Sequence, residues 1–109
     1  MSTITHKRGD TFSVAVEWTD PDTERDLTGV TCAAQLNKSD GELIQELTCT
    51  LAEIDDGYVK FDVTATAEQT RDWPIGTAQT DAELTLDGEV WSSPTFIVRV
   101  LRDETVPLP

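Results

Sequence analysis

The sequence predicts an all-β fold, a two-layer antiparallel β-sandwich of about seven short strands with one short helical turn near residues 67–73. Three observations predict it. Apolar residues recur at every second position through most of the chain. Three Asp-Gly dipeptides, Asp40-Gly41, Asp56-Gly57 and Asp87-Gly88, punctuate those runs. One segment alone carries a helix-start signature. A sandwich is favoured over a barrel because many short strands with frequent turns suit two packed layers.

The elements follow in order. In "TFSVAVEW", Phe12, Val14, Val16 and Trp18 share one face, opposite Ser13, Ala15 and Glu17. In "VTCAAQLN", Val30, Cys32, Ala34 and Leu36 share a face, and in "YVKFDV" Val59, Phe61 and Val63 oppose Tyr58, Lys60 and Asp62. This is the pattern of a sheet with one buried face. Each Asp-Gly is a hairpin candidate, because a type I′ turn needs positive φ at both central residues, which Asp tolerates and Gly accepts freely. A two-residue loop at Asp40-Gly41 pairs Ser39 with Glu42, Ala34 with Leu47 and Cys32 with Cys49. The second turn pairs Ile54 with Val59 and completes a three-strand meander. The third joins "TAQTDAELTL" to "EVWSSPTFIVRVL" with Leu84 facing Trp91. A strict register there would pair Ile97 with Ala78, yet the alternation afterwards runs through Phe96, Val98 and Val100. A β-bulge around Ser92 to Pro94 reconciles the two, since proline lacks a ladder donor. In "TATAEQTRDWPIG", Thr66 and Gln69 have capping-box spacing, and Pro74 and Gly76 stop what they start. A short helix from about Ala67 to Trp73 then crosses between the meander and the last hairpin.

The chain of 109 residues is read as one domain, residues 1–109, with flexible ends near 1–5 and 104–109. With 8 Lys and Arg against 21 Asp and Glu, its net charge of −13 repels phosphate backbones and anionic membrane surfaces. No nucleic-acid or membrane partner is expected. No apolar run reaches the length of a bilayer span, and "MSTITHKRGD" has no apolar stretch after its basic residues, so no secretory signal is expected. Without one, Cys32 and Cys49 are read as two buried free thiols; an oxidising setting would let them bond with some strain. They form no Cys-x-x-Cys pair, and the lone histidine, His6, lies near a mobile-looking end, so neither a zinc site nor Cys/His catalysis is expected.

Other candidate sites each have a plainer reading. Arg8-Gly9-Asp10 matches an adhesion triplet, but Phe12 starts the apolar alternation almost at once, so the triplet reads as the turn that launches a strand. "DPDTERD" places Asp20, Asp22, Glu24 and Asp26 at alternate positions, a pattern of oxygen ligands that suits calcium. An EF-hand loop would need Gly where Arg25 stands and Glu where Thr31 stands, so a solvated connecting loop is favoured. Trp18, Trp73 and Trp91 offer a sugar-stacking platform on paper; core roles are favoured, with Trp73 as a plug at one end. No pair of carboxylates, Gly-rich phosphate loop or nucleophile elbow singles itself out, so no catalytic, cofactor or metal residues are assigned and the chain is read as non-enzymatic.

The ordered landmarks "KRGDTFSVAV", "RDLTGVTCAAQLNKSDGELI" and "TATAEQTRDWPIGTAQTDAELTLDGEVWSSPTFIVRVLRDETV" resemble small phage structural proteins, nearest the amino-terminal domain of siphophage baseplate upper proteins. The resemblance covers nearly the whole chain, and Thr77-Ala78 departs from it by lacking an aromatic after the glycine. It implies an immunoglobulin-like β-domain that serves assembly in a phage or prophage tail, baseplate or head-tail region. It brings no catalytic residues. Its expected partners are other virion proteins, with homo-oligomers among them, and its expected location is the virion after synthesis in the host bacterial cytoplasm. Two alternatives come from other classes: a carbohydrate- or calcium-binding β-sandwich module, and a small acidic inhibitor of a host nucleic-acid enzyme.

Overall fold

The computed structural model describes residues 2–102, so the expected loose carboxyl end at 104–109 lies outside the described residues. Eight strands form, β1 (Ser2–Lys7), β2 (Phe12–Thr19), β3 (Thr31–Lys38), β4 (Leu43–Asp55), β5 (Tyr58–Ala65), β6 (Gly76–Leu86), β7 (Glu89–Ser92) and β8 (Phe96–Leu101), with one helix, α1 (Ala67–Thr70), between β5 and β6. The fold is all-β. The three Asp-Gly corners all turn the chain, but by different geometries.

At Asp87-Gly88 both residues take positive φ, 51° and 81°, as a type I′ turn requires, and Leu84 pairs with Trp91 as expected. At Asp56-Gly57 the loop also has two residues and Ile54 pairs with Val59, but only Gly57 has positive φ. The first corner corrects the sequence reading. The amide of Gly41 donates to the Lys38 carbonyl and the Lys38 amide to that of Glu42, so three residues, Ser39 to Gly41, make the loop. The register then shifts between Leu36 and Asn37, with Ile44 as the extra residue of β4, and this restores the expected pairing of Ala34 with Leu47. The two departures cancel.

The expected bulge lies between β7 and β8. Beyond Ser92 the ladder slips by one residue, so that Ala78 pairs with Val98 instead of Ile97. Ser93 fills the gap: its amide donates to the Ala82 carbonyl, and its hydroxyl accepts from the Ala82 amide at 2.9 Å. The side chain thus replaces a ladder bond where Pro94 follows. The helix is shorter than the span from Ala67 to Trp73. Its capping box between Thr66 and Gln69 is complete, and after Thr70 the chain continues in single turns, with Trp73 N–H reaching the Thr70 carbonyl at 3.0 Å.

One strand was unexpected. Residues 2–5, read as part of a flexible end, lie within β1, which pairs parallel with β8 from Ser2–Phe96 to Lys7–Leu101. The sheet is therefore not wholly antiparallel. Its order is β1-β8-β6-β3-β4-β5-β2, with β7 beside β6. In this path β4 is shared: its first part pairs with β3 up to Leu47, and Thr48 to Asp55 pair with β5. The strands that end the path are consecutive in sequence, joined only by Arg8 to Thr11. Six spacings of about 4.8 Å would hold β1 and β2 roughly 29 Å apart in a flat sheet. A link this short reaches under about 20 Å. The sheet must curl, and it forms a single, nearly barrel-shaped wall around one core.

That core takes the inward positions read from the alternation: Phe12 and Val16, Ala34 and Leu36, Val59, Phe61 and Val63, Val98 and Val100, with Leu27 and Trp73 added from connecting segments. Ala78, which stands near the missing aromatic, is itself buried and packs there with little volume. Among the described residues, no helix is long and apolar enough to cross a membrane.

Candidate functional site

The structure gathers its chemistry-bearing side chains at two places, and among the described residues both strands that end the sheet path have an open edge. The first cluster surrounds the Arg-Gly-Asp triplet. The Thr70 hydroxyl, fully buried, accepts from the Gly9 amide at 2.9 Å and donates to the Asp10 carbonyl at 2.7 Å. That carbonyl also accepts from His6 Nε2 at 3.0 Å, a bond in which Nε2 is the donor. The amide of Arg8 donates to the Leu101 carbonyl, continuing the β1–β8 ladder. His6, Phe12 and Trp73 form a ring triad with centroids 5.3 to 5.5 Å apart. The triplet's backbone is thus pinned from three sides, as suits a turn feeding β2. His6 is buried inside this joint, a structural position that its place near the amino end did not suggest.

The second cluster is the loop from Asp20 to Gly29. Here the acids bond to their own loop. Asp20 Oδ1 accepts from the Asp22 amide, Asp22 Oδ1 from the Glu24 amide, and Asp26 Oδ1 from both the amide and the hydroxyl of Thr28. The Thr28 bonds hold the Asp26 carboxyl below its ordinary range. Arg25 then acts as a strut. It meets the buried Asp20 at 3.2 Å and Glu89 at 2.9 Å, and its guanidinium lies 5.0 Å from the centre of the Trp91 ring. Its pKa is raised, first through the bond to Glu89. Across the loop, the Gly57 carbonyl accepts from Asp20 N–H and the Gly57 amide donates to the Arg25 carbonyl. Among the described residues, no three His, Cys, Asp or Glu side chains converge in a way that could hold a metal ion.

The tryptophans do not form a row. Trp73 is enclosed, whereas Trp18 and Trp91 stack on one another at 5.4 Å with Arg25 over Trp91. Two open depressions lie elsewhere on the surface. One, of about 420 Å³, runs between Lys38, Asp40 and Ile44 on one side and Pro74 and Ile75 on the other. The other, of about 240 Å³, is a dent over Ala33 flanked by Asp81 and Glu83. Neither contains a histidine or cysteine.

Cys32 and Cys49 are both free and half-buried where β4 leaves β3 for β5. Burial, then the hydrogen bond and charge of Cys49, push the Cys32 thiol up to about 12 from an ordinary 9.0. The folded chain therefore keeps this proton while the unfolded chain releases it above about pH 9. This contribution to stability is complete below pH 9 and is lost as the pH rises toward 12. Cys32→Ala is expected to flatten that alkaline decline in urea unfolding measured from pH 8 to 11. Iodoacetamide at pH 8 is expected to alkylate Cys32 far faster after unfolding than before.

The remaining feature is the pair of open edges. Among the described residues, no strand pairs with the outer side of β1 or of β2. Such edges carry rows of unpaired amides and carbonyls that another chain can join. Compared with models of protein families and with curated proteins, the chain matches none.

Proposed function

We propose that this protein is a non-enzymatic structural or assembly component of a phage or prophage virion, in the tail, baseplate or head-tail region, where it acts as a protein-protein interaction module. The observation that carries the reading is that β1 and β2, the strands ending the curled sheet, each have one side unpaired among the described residues. Its stable core, internally bonded loops and open edges suit a part that is touched by other proteins. The charge of −13 favours a basic partner surface. The virion context comes from the resemblance of the ordered landmarks to baseplate upper protein amino-terminal domains.

The finer architecture belongs to the same proposal. The order β2-β5-β4 matches the B-E-D strands of an immunoglobulin sandwich, and β8-β6-β3 matches its G-F-C strands. On this view β4 crosses from one layer to the other at about Leu47, the position where its partner changes. Synthesis in the host bacterial cytoplasm and final residence in the particle follow from the virion reading. Mass spectrometry of purified particles from the parent phage tests it. The chain is expected among the particle proteins at a fixed ratio to the tail or neck components. Particles without a trace of it would overturn the proposal.

A further inference from the structure

Cys32 and Cys49 stand at the crossing where β4 changes partners. β4 pairs with β3 up to Leu47, opposite Ala34, and with β5 from Thr48 onward. Side chains alternate along a strand, so the next positions on the same side as Ala34 and Leu47 are Cys32 and Cys49. Their other neighbours show where they point. Cys32 lies across from Leu84 of β6 and Cys49 across from Val63 of β5, and both of those residues are buried in the core. Directly opposed residues share a face of the sheet, so both thiols point inward. Both pack against the one core cluster while staying half-buried, and the Cys49 thiol is close enough to hydrogen-bond Cys32.

We propose that Cys32 and Cys49 close into a reversible disulfide clasp that fastens β3 to β4 at this crossing, with a low-molecular-weight disulfide such as oxidised glutathione as the oxidant. Opposed Cα atoms in an unbroken ladder stand about 4.5–5.5 Å apart, the short end of the roughly 4.4–6.8 Å that a disulfide spans. Because β4 leaves the ladder after Leu47, the pair is not held at that short separation, and the bond can form without disturbing the paired residues beside it. In the closing reaction one protein thiolate attacks a sulfur of oxidised glutathione, forming a mixed disulfide and releasing a glutathione thiolate. The second protein thiolate attacks the protein sulfur of that intermediate, forming the Cys32–Cys49 bond and releasing the second glutathione. The protons given up by the two cysteines end on the two glutathiones, so the protein loses two electrons and the glutathione disulfide gains them.

The clasp acts on the part of the wall that needs it. Among the described residues, β4 beyond Leu47 is paired on one side only. Leu51 and Ile54 there lie across from the buried Phe61 and Val59, yet they are 48% and 41% exposed. In the thiol form nothing ties β4 to β3 past Leu47; in the disulfide form a covalent link does.

This inference stands apart from the virion reading, since the purified chain closes its bond whether or not particles contain it. The test is to equilibrate the full chain in glutathione buffers ranging from as reducing as a cytosol to as oxidising as a secretory compartment. The products are trapped with acid and digested with trypsin, which cuts at Lys38 between the two cysteines. Peptides 26–38 and 39–60 are expected to be joined in the oxidising buffers and separate in the reducing ones, with the intact chain still a monomer on a non-reducing gel. The oxidised chain is expected to melt at least about 5 °C higher, because the link restricts the unfolded chain. Cys32→Ser and Cys49→Ser are each expected to abolish both the joined peptides and the melting gain. Peptides that never join, or a disulfide that forms only between chains, would overturn the proposal. So would a joined form that melts no higher than the dithiol, since the bond would then strain the crossing instead of fastening it.

Discussion

Replacing Trp73 by alanine is expected to remove about 3–5 kcal/mol of stability, a large share of the roughly 5–15 kcal/mol that holds a domain of this kind together. Trp73 is 1% exposed and has the largest fully buried side chain among the described residues. It does more than fill volume. It touches both His6 of β1 and Phe12 of β2, the two strands at opposite ends of the sheet path. Removing it opens a void at the joint where the curled sheet comes back on itself, and the surrounding strands can collapse only so far without breaking their ladders. The indole N–H is buried with no hydrogen-bond partner among the described residues. Trp73→Phe separates these roles: it retains an aromatic face and deletes the orphan donor. It is expected to cost under about 1.5 kcal/mol. Urea unfolding followed by far-ultraviolet circular dichroism measures both. Equal losses for the two variants would mean that the plug is not sustained by packing.

Much of this fold can be read from residue order because its turns are local. Asp87-Gly88 and Asp56-Gly57 fix their registers within a few residues, and the proline at 94 marks where the last hairpin must slip. The Thr66 to Gln69 spacing likewise announces its capping box. What escapes the sequence is non-local. β1 carries one large aliphatic residue, Ile4, among threonines, and its buried His6 looks polar until Phe12 and Trp73 are placed around it. Its parallel partner lies some ninety residues away, and no turn chemistry points there. The three-residue loop at Ser39 to Gly41 is hidden for a different reason: the extra residue in β4 compensates it, so the distal pairs look the same by either route.

The acidic loop illustrates why a pattern of donors is weaker than their geometry. Carboxylates at alternate positions suggest a cation cage in sequence. The same spacing also lets each side chain accept from the amide two residues on, and Asp20, Asp22 and Asp26 all do so. That local option was legible. The distant half of the arrangement, Arg25 reaching Glu89 and Trp91, was not, because it depends on β7 lying beside the loop. Open edges are invisible in sequence for the same reason: a strand's lack of a neighbour is a property of the whole sheet.

Gly57→Ala is the second large expected effect, about 2–5 kcal/mol of destabilisation, from two causes that can be separated. Gly57 has φ +71°, where a Cβ costs roughly 1–2 kcal/mol by itself. A Cβ there would also stand 2.7 to 2.8 Å from the backbone Cα, C and O of Thr23. Backbone cannot rotate aside like a side chain, so the loop must move, at a further cost of about 1–3 kcal/mol. Moving it strains the two bonds that bind Gly57 to Asp20 and Arg25, and hence the Arg25 strut over Trp91. Gly41→Ala is the matched control, since Gly41 has φ +93° with nothing within 4 Å of the added carbon. It is expected to show the conformational cost alone. Urea unfolding gives the two losses, and tryptophan fluorescence of the folded variants is expected to shift for Gly57→Ala while Gly41→Ala stays like the parent. If the two glycines prove equally tolerant, the loop from Asp20 to Gly29 is not clamped by the Asp56-Gly57 corner, and the carboxylates within it are free to do something other than hold their own backbone.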